Sequence, residues 1–278
     1  MTSFQDINLV IAHGLEARVI LDYFSLELVE DKEFKIYKNQ AGMQAIVSGM
    51  GVENASAATT VLGKRDLEQG LGEKLRAWLN IGIAGHPEAG LGSCFYASKI
   101  VNRSSGEAQF PAPILTGLTS ATVVTVDEPE VDYPESVLYE MEASGFWRAA
   151  IEFTSLEFVQ CLKIVSDNKE LSTENVTKQV VLDLMRDNIE AIQGCCSQLQ
   201  SFVSDYNQTY GLEAFYVESM QSCLDSYHFT VTQRIQLKRL IQRYSALDLS
   251  PELRKILSKT FNSSNDLINE LSEGLSLQ

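Results

Sequence analysis

Little in this chain can bind a metal or build a covalent framework. Its 278 residues hold three histidines, His13, His86 and His228, too scattered to draw a metal cluster. The five cysteines (Cys94, Cys161, Cys195, Cys196 and Cys223) are odd in number, two are adjacent, and no C-x-x-C pair occurs. Neither a disulfide framework nor a zinc site is expected, and a reducing cytoplasm is the natural compartment. No apolar run approaches the roughly 20 residues of a membrane helix. The segment Met1-Thr2-Ser3-Phe4-Gln5-Asp6 has no basic patch, and the apolar stretch after it is too short for a signal peptide. Positive charge is also scarce, with 22 Lys+Arg against 37 Asp+Glu and a formal net charge of −15. Such a surface repels phosphate backbones, so nucleic acid is not the expected partner.

What is present is an ordinary globular composition, 45% hydrophobic and 21% charged, which excludes wholesale disorder. Short apolar runs alternate with amphipathic stretches over the first two-thirds. Strands are expected at Asn8–Ala12, Phe34–Lys38, Met43–Val47, Trp78–Ile83, Cys94–Val101 and Phe158–Val165. Helices are expected at Leu15–Phe24, Val52–Leu62 and Glu135–Ile151. Strands alternating with helices, with Gly or polar residues at the strand ends, predict an α/β protein with a mixed, mostly parallel twisted sheet flanked by helices. From Thr173 the pattern becomes helical throughout, with helices expected at 176–205, 212–227, 230–247 and 251–271. Ser250 before Pro251 reads as an N-cap with proline at the first helical position. The expected division is a domain over 1–206 and a helical extension over 207–278. Arg234, Lys238, Arg239, Arg243, Arg254, Lys255 and Lys259 make the extension locally basic. Such a run could bind nucleic acid or an acidic partner, but a basic face packed on the acidic main domain, or a solvated face, is the simpler reading.

Ligands of α/β sheets bind at the carboxyl ends of the strands, so polar clusters there are the candidate site. They are His13-Gly14-Leu15-Glu16, Ser48-Gly49-Met50-Gly51, Gly82-Ile83-Ala84-Gly85-His86 and Ser166-Asp167-Asn168, joined by Glu140-Met141-Glu142-Ala143 in an expected helix. Each has a structural reading: Glu16 as a first-turn acid, Ser48–Gly51 as a tight turn, Asp167 as a helix cap. A dinucleotide fingerprint is incomplete, because Asn54 stands where the third glycine belongs.

Taken in order, these clusters resemble the nucleoside phosphorylase and nucleosidase superfamily, and most of all its methylthioadenosine/S-adenosylhomocysteine nucleosidase branch. Ser48-Gly49-Met50-Gly51 with Asn54-Ala55 is similar to the family's S-G-(I/M)-G and N-A stretch. Asn80-Ile81-Gly82-Ile83-Ala84-Gly85 is similar to N-x-G-S-A-G, Glu140–Ala143 to E-M-E-A, and Ile164-Val165-Ser166-Asp167 to I-S-D. The resemblance spans Asn8 to Asn168. It implies a nucleoside phosphorylase-like fold and hydrolysis of a purine nucleoside, with no metal or organic cofactor. Asp167 would protonate purine N7, Glu16 would activate water, Glu142 would accept from the ribose hydroxyls, Met141 would pack on the sugar, and Glu140 would support the turn. Gly49, Gly82, Ile83, Ala84 and Ser166 complete the expected substrate-binding set. It also implies a homo-oligomer, at least a dimer.

The phosphorylase branch needs an arginine near Glu16 to hold phosphate as co-substrate, and Arg18 keeps that alternative open. A third alternative is a catalytically silent nucleoside-binding or regulatory protein. It is motivated by Ile83, where the family has serine, and by His86, where it has a small residue. Lys163 replaces an arginine common before I-S-D. The segment from Asn102 to Tyr133 is short, so the residue that stacks on the base is not assigned. Val126-Asp127-Glu128-Pro129 and Phe110 are the candidates.

Overall fold

Ile7–Ile11 (β1) is buried at all five positions, as expected of a largely apolar strand covered on both faces, and Asn8 is its one polar member. Ile7, Leu9 and Ile11 enter one apolar cluster and Val10 the other, the alternation a strand requires. The structure, a computed structural model, describes residues 4–68, 74–210 and 214–276. After β1 come α1 (Gly14–Tyr23), β2 (Glu27–Asp31), β3 (Lys35–Lys38), β4 (Gln44–Val47), α2 (Val52–Glu68) and β5 (Ala77–Gly85). Then follow β6 (Cys94–Asn102), β7 (Ala108–Gln109), β8 (Thr119–Thr125), β9 (Leu138–Glu140), α3 (Ala143–Ala150) and β10 (Val159–Asp167). Helices α4 (Lys178–Asp187), α5 (Ile189–Tyr210), α6 (Ala214–Ser226), α7 (Val231–Ala246), α8 (Ser250–Leu257) and α9 (Ser264–Ser276) complete the described chain.

The strand order is β10-β6-β8-β9-β5-β1-β4-β3-β2, with β7 on β6, and β10 pairs back onto β5. Strands β10, β6, β8, β9 and β5 thus close into a ring, from which β1, β4, β3 and β2 extend. Parallel pairings join β1 to β4 and β5, β5 to β10, β6 to β8 and β8 to β9. The other pairings are antiparallel. The α/β class and the mixed sheet hold, with the longest ladders parallel, but the expected twisted sheet is corrected to one that closes on itself. Closure depends on β10 meeting β5, and no local pattern reports a pairing between segments so far apart in sequence.

The expected helix over Glu135–Ile151 is also corrected. Its first part is the short strand β9, and the helix begins only at Ala143. The Glu140 carboxylate accepts from the backbone N–H of Glu142 (3.0 Å) and Ala143 (2.9 Å), satisfying donors that helix α3 leaves free at its start. Two long expected helices are each divided. Asn188 ends α4, its amide donating to Leu184 O at 2.9 Å, and α8 stops at Leu257 before α9 begins. Ser250 is helical rather than the cap, which is Leu249. The expected helix start at Leu212 lies outside the described residues.

By internal contacts the chain divides into Met1–Gly63 with Leu75–Asp205, and Lys64–Lys74 with Tyr206–Gln278. In the first unit, one sheet face packs Leu9, Leu79, Ile81 and Leu162 against α1, α4 and α5. The other packs Val10, Ile46, Trp78 and Val165 against α2 and α3. The second unit has its own core, including Tyr216, Leu237, Ile241, Tyr244, Leu253, Leu267 and Leu271. Tyr244 donates its hydroxyl to Leu271 O at 2.9 Å. Arg239, Arg243 and Lys255 are exposed, and Arg254 lies 3.8 Å over the Phe215 ring, as on a solvated helical face.

One close approach sets the site's geometry. Gly145 in α3 lies so near the start of α2 that a Cβ there would fall 2.1 Å from Val52 O. Gly145→Ala should therefore lower stability by about 1–3 kcal/mol or more, read as a lower urea midpoint. A midpoint equal to wild type would contradict the packing of α3 on α2.

Candidate active site

The carboxyl ends of β1, β4, β5, β8, β9 and β10 surround one cavity of about 410 Å³. Leu15, Met50, Ile83, Val126, Pro129, Met141, Val176 and Val181 give it an apolar wall, and Tyr139 supplies an aromatic ring. Glu16, Glu140, Glu142 and Asp167 give it four buried carboxyl groups.

Glu16 is the third residue of α1 and closes a capping box with His13. Its Oε2 accepts from His13 N at 2.9 Å, while Leu15 N donates to His13 Nδ1 at 3.1 Å. Its Oε1 accepts from Ile83 N at 2.9 Å, so one carboxylate ties the start of α1 to the end of β5. The first-turn reading of Glu16 is thus realised, and the same side chain lines the cavity. A Cβ on Gly82 would lie 3.2 Å from Glu16 Oε1 and 3.5 Å from Lys163 Nζ, so the glycine leaves room for two charged groups.

Asp167 ends β10 beyond a register shift between Val165 and Asp167. Such an irregularity re-aims side chains, and Ser166 and Asp167 both line the cavity. Asp167 Oδ2 accepts from the hydroxyls of Tyr133 and Thr173 (2.8 Å), and Oδ1 from that of Ser166. The Asn168 side chain accepts from Glu170 N and Leu171 N at 2.9 Å and turns the chain away.

Behind the cavity lies a buried ion pair. Lys163 Nζ is 2.8 Å from Glu140 Oε2, with both side chains 1% exposed. Burial acts to lower the Lys163 pKa, and the charges of Glu140, Cys161 and Glu142 more than reverse it, so the ammonium is held charged. Glu142 is the N-cap residue of α3 and accepts from Gly51 N at 2.9 Å. Gly51 and Gly49 have φ of +97° and +81°, which explains both glycines of the Ser48–Gly51 turn. Burial and then the Glu140 charge push Glu142 up to about 7, against the pull of Lys163 and Gly51 N–H. Burial likewise raises Glu16, against the Ile83 N–H, Lys163 and His13.

Of the sequence-expected residues, Glu16, Ile83, Ala84, Glu140, Met141, Glu142, Ser166 and Asp167 line the cavity together. Gly49 and Gly82 do not. Gly49 serves the turn, its N–H donating to Ala12 O at 3.0 Å, and Gly82 stands behind Glu16. Arg18 is exposed on α1 and outside the cavity, and no arginine lines it among the described residues. His86 also faces elsewhere. Its Nδ1 accepts from Glu88 N and Ala89 N, and its ring stacks on Phe95. Phe110 is 68% exposed and away from the cavity, whereas Val126 and Pro129 line it. Tyr133, Tyr139 and Thr173 were not anticipated. Tyr139 directly precedes the E-M-E-A motif, and Tyr133 carries no local signal beyond preceding Pro134.

A carboxyl whose folded-state pKa lies above its unfolded value favours the fold below the unfolded pKa. That contribution is lost as pH rises through about 7 for Glu142. Glu142→Gln keeps an acceptor for Gly51 N–H without the charge. It should stabilise the protein at pH 8 by about 1–3 kcal/mol and leave stability at pH 4 nearly unchanged. Thermal unfolding at the two pH values checks this, and a variant less stable at pH 8 would contradict it.

Neither a protein-family model nor a curated protein sequence matches the chain. Solved structures do match in fold. A methylthioadenosine/S-adenosylhomocysteine nucleosidase from Colwellia psychrerythraea, in complex with adenine, aligns with a TM-score of 0.58 at 16% identity, covering 72% of this chain and 97% of that one. A methylthioadenosine nucleosidase from Arabidopsis thaliana aligns at 0.56 with 16% identity, covering 73% and 97%. The nucleosidase from Helicobacter pylori with butyl-thio-DADMe-Immucillin-A aligns at 0.55 with 14% identity, covering 69% and 99%. The chain therefore has the fold of the nucleosidase branch, over nearly the full length of those enzymes, with further residues beyond the shared part.

Proposed function

We propose that the chain hydrolyses the N-glycosidic bond of a purine nucleoside, with water as the nucleophile. The observation that carries this is Glu16, buried at the cavity wall between His13 N–H and Ile83 N–H. A carboxylate there orients and deprotonates water, and its raised pKa strengthens it as a base. Asp167 gives a proton to the departing base, and the division of work between two carboxyl groups follows glycoside hydrolysis. Glu142, when ionised, accepts from the ribose hydroxyls. Met141 packs on the sugar, and the Tyr139 ring offers the base an aromatic face. Ile83 has no side-chain hydroxyl, but its backbone N–H holds Glu16.

Phosphate fits the site poorly. The Lys163 ammonium is committed to Glu140 and Arg18 is outside the cavity, so an anion would face four buried carboxyl groups with one exposed lysine, Lys178, and no arginine in the lining among the described residues. The same reading includes assembly with a second copy of the chain and a cytoplasmic setting.

The test is base release from adenosine, inosine, methylthioadenosine and S-adenosylhomocysteine, each with and without phosphate. At least one should be cleaved at a rate that phosphate does not change. Glu16→Gln should lower that rate by about 10²-fold or more. Release that requires phosphate, or a fully active Glu16→Gln variant, would overturn the proposal.

A further inference from the structure

We infer that Tyr133 is a positioning residue for Asp167, fixing which carboxyl oxygen carries the proton given to the departing base. The inference rests on the nucleosidase reading and goes beyond it. Tyr133 is 2% exposed and does not line the cavity, so it acts through Asp167. Its hydroxyl donates to Oδ2, and so does that of Thr173 at 2.8 Å, the Thr173 hydroxyl also lying in hydrogen-bond contact with that of Tyr133. A carboxyl oxygen has two lone pairs. Two donors occupy both on Oδ2, which leaves Oδ1 as the oxygen able to carry a proton. The one donor on Oδ1, the Ser166 hydroxyl, has Ala84 O as a second acceptor at 3.4 Å.

The surroundings are built for this contact. Tyr133 has φ of +44°, a conformation that L residues rarely hold unless the structure enforces it. Its ring packs with Val124, Val126 and Tyr139, the two tyrosine rings 6.0 Å apart. A Cβ on Gly85 would fall 2.7 Å from Asp167 Oδ2 and 2.8 Å from Tyr133 Cε1, so only glycine admits the pair. Burial, and then the bond to Asp167, push the Tyr133 hydroxyl up to about 12, so it remains a donor at neutral pH. The main chain is anchored as well, with His86 N donating to Asp167 O at 3.0 Å.

The step balances. The C1′–N9 electron pair goes to the purine as N7 takes the proton from Asp167 Oδ1. Water then bonds to C1′ and gives its proton to Glu16. Losing one donor on Oδ2 lets the proton settle there, turned away from the base.

Tyr133→Phe removes only the hydroxyl. With the best nucleoside of the panel, kcat should fall about 10- to 100-fold while KM stays within about twofold. With p-nitrophenyl riboside, whose leaving group needs no proton, the same variant should match wild type. Thr173→Val removes the other donor and, because Thr173 also lines the cavity, is read by the ratio of the two substrates. Its loss of kcat should be at least about fivefold larger on the nucleoside than on p-nitrophenyl riboside, which keeps the test open if Tyr133→Phe does not fold. An unchanged nucleoside kcat, or an equal loss on both substrates, would overturn the inference. A wild-type protein that cleaves p-nitrophenyl riboside but no nucleoside, or cleaves neither, removes the nucleosidase reading and this inference with it.

Discussion

A lysine and a glutamate sealed together inside the closed ring of strands govern this site. Lys163 lies on β10, paired in register with Gly82 on β5 and Phe95 on β6, and its ammonium meets Glu140 at 2.8 Å. Two such charges are costly to bury and tolerable only with their remaining bonds made; removing one partner from a pair of this kind costs about 3–5 kcal/mol. Glu140 meets that condition, accepting from Thr125 Oγ1 at 2.7 Å and from the N–H groups of Glu142 and Ala143. The same bonds end β9, begin α3 and aim Glu142 at the cavity. Gly82 leaves space for the lysine, and Gly145 lets α3 reach α2, where Gly51 N–H meets Glu142.

The site's proton chemistry follows from that arrangement. Lys163 is committed to Glu140, and its pull on Glu16 and Glu142 is outweighed by burial, which raises both. Two buried carboxyl groups raised in this way cost stability at neutral pH, the relation expected where a fold gives up stability for the proposed activity. Asp167 lies in a different setting, among hydroxyl donors instead of a lysine. Two acids in unlike surroundings can take opposite roles in one reaction.

Much of this was legible because local chemistry wrote it. β1, β5 and β10 announce themselves as buried apolar runs. Glu16 sits three residues after its cap, and the S-D cluster falls where a strand ends. Other features depend on distant partners and leave no local trace. Ring closure needs β10 on β5. β9 is three residues long and continues into a helical pattern, so it read as part of that helix. Tyr133 is 34 residues from the carboxylate it touches. His86 was expected near the pocket because of its place after Gly85, but two backbone N–H groups and Phe95 turn its ring elsewhere.

The central claim is that a cavity walled by carboxylates delivers water, and no other nucleophile, to the sugar. Its most direct test is turnover in ¹⁸O-labelled water with phosphate present in excess, followed by mass analysis of the released sugar. The account predicts free sugar carrying one ¹⁸O at C1. An unlabelled sugar 1-phosphate would contradict it.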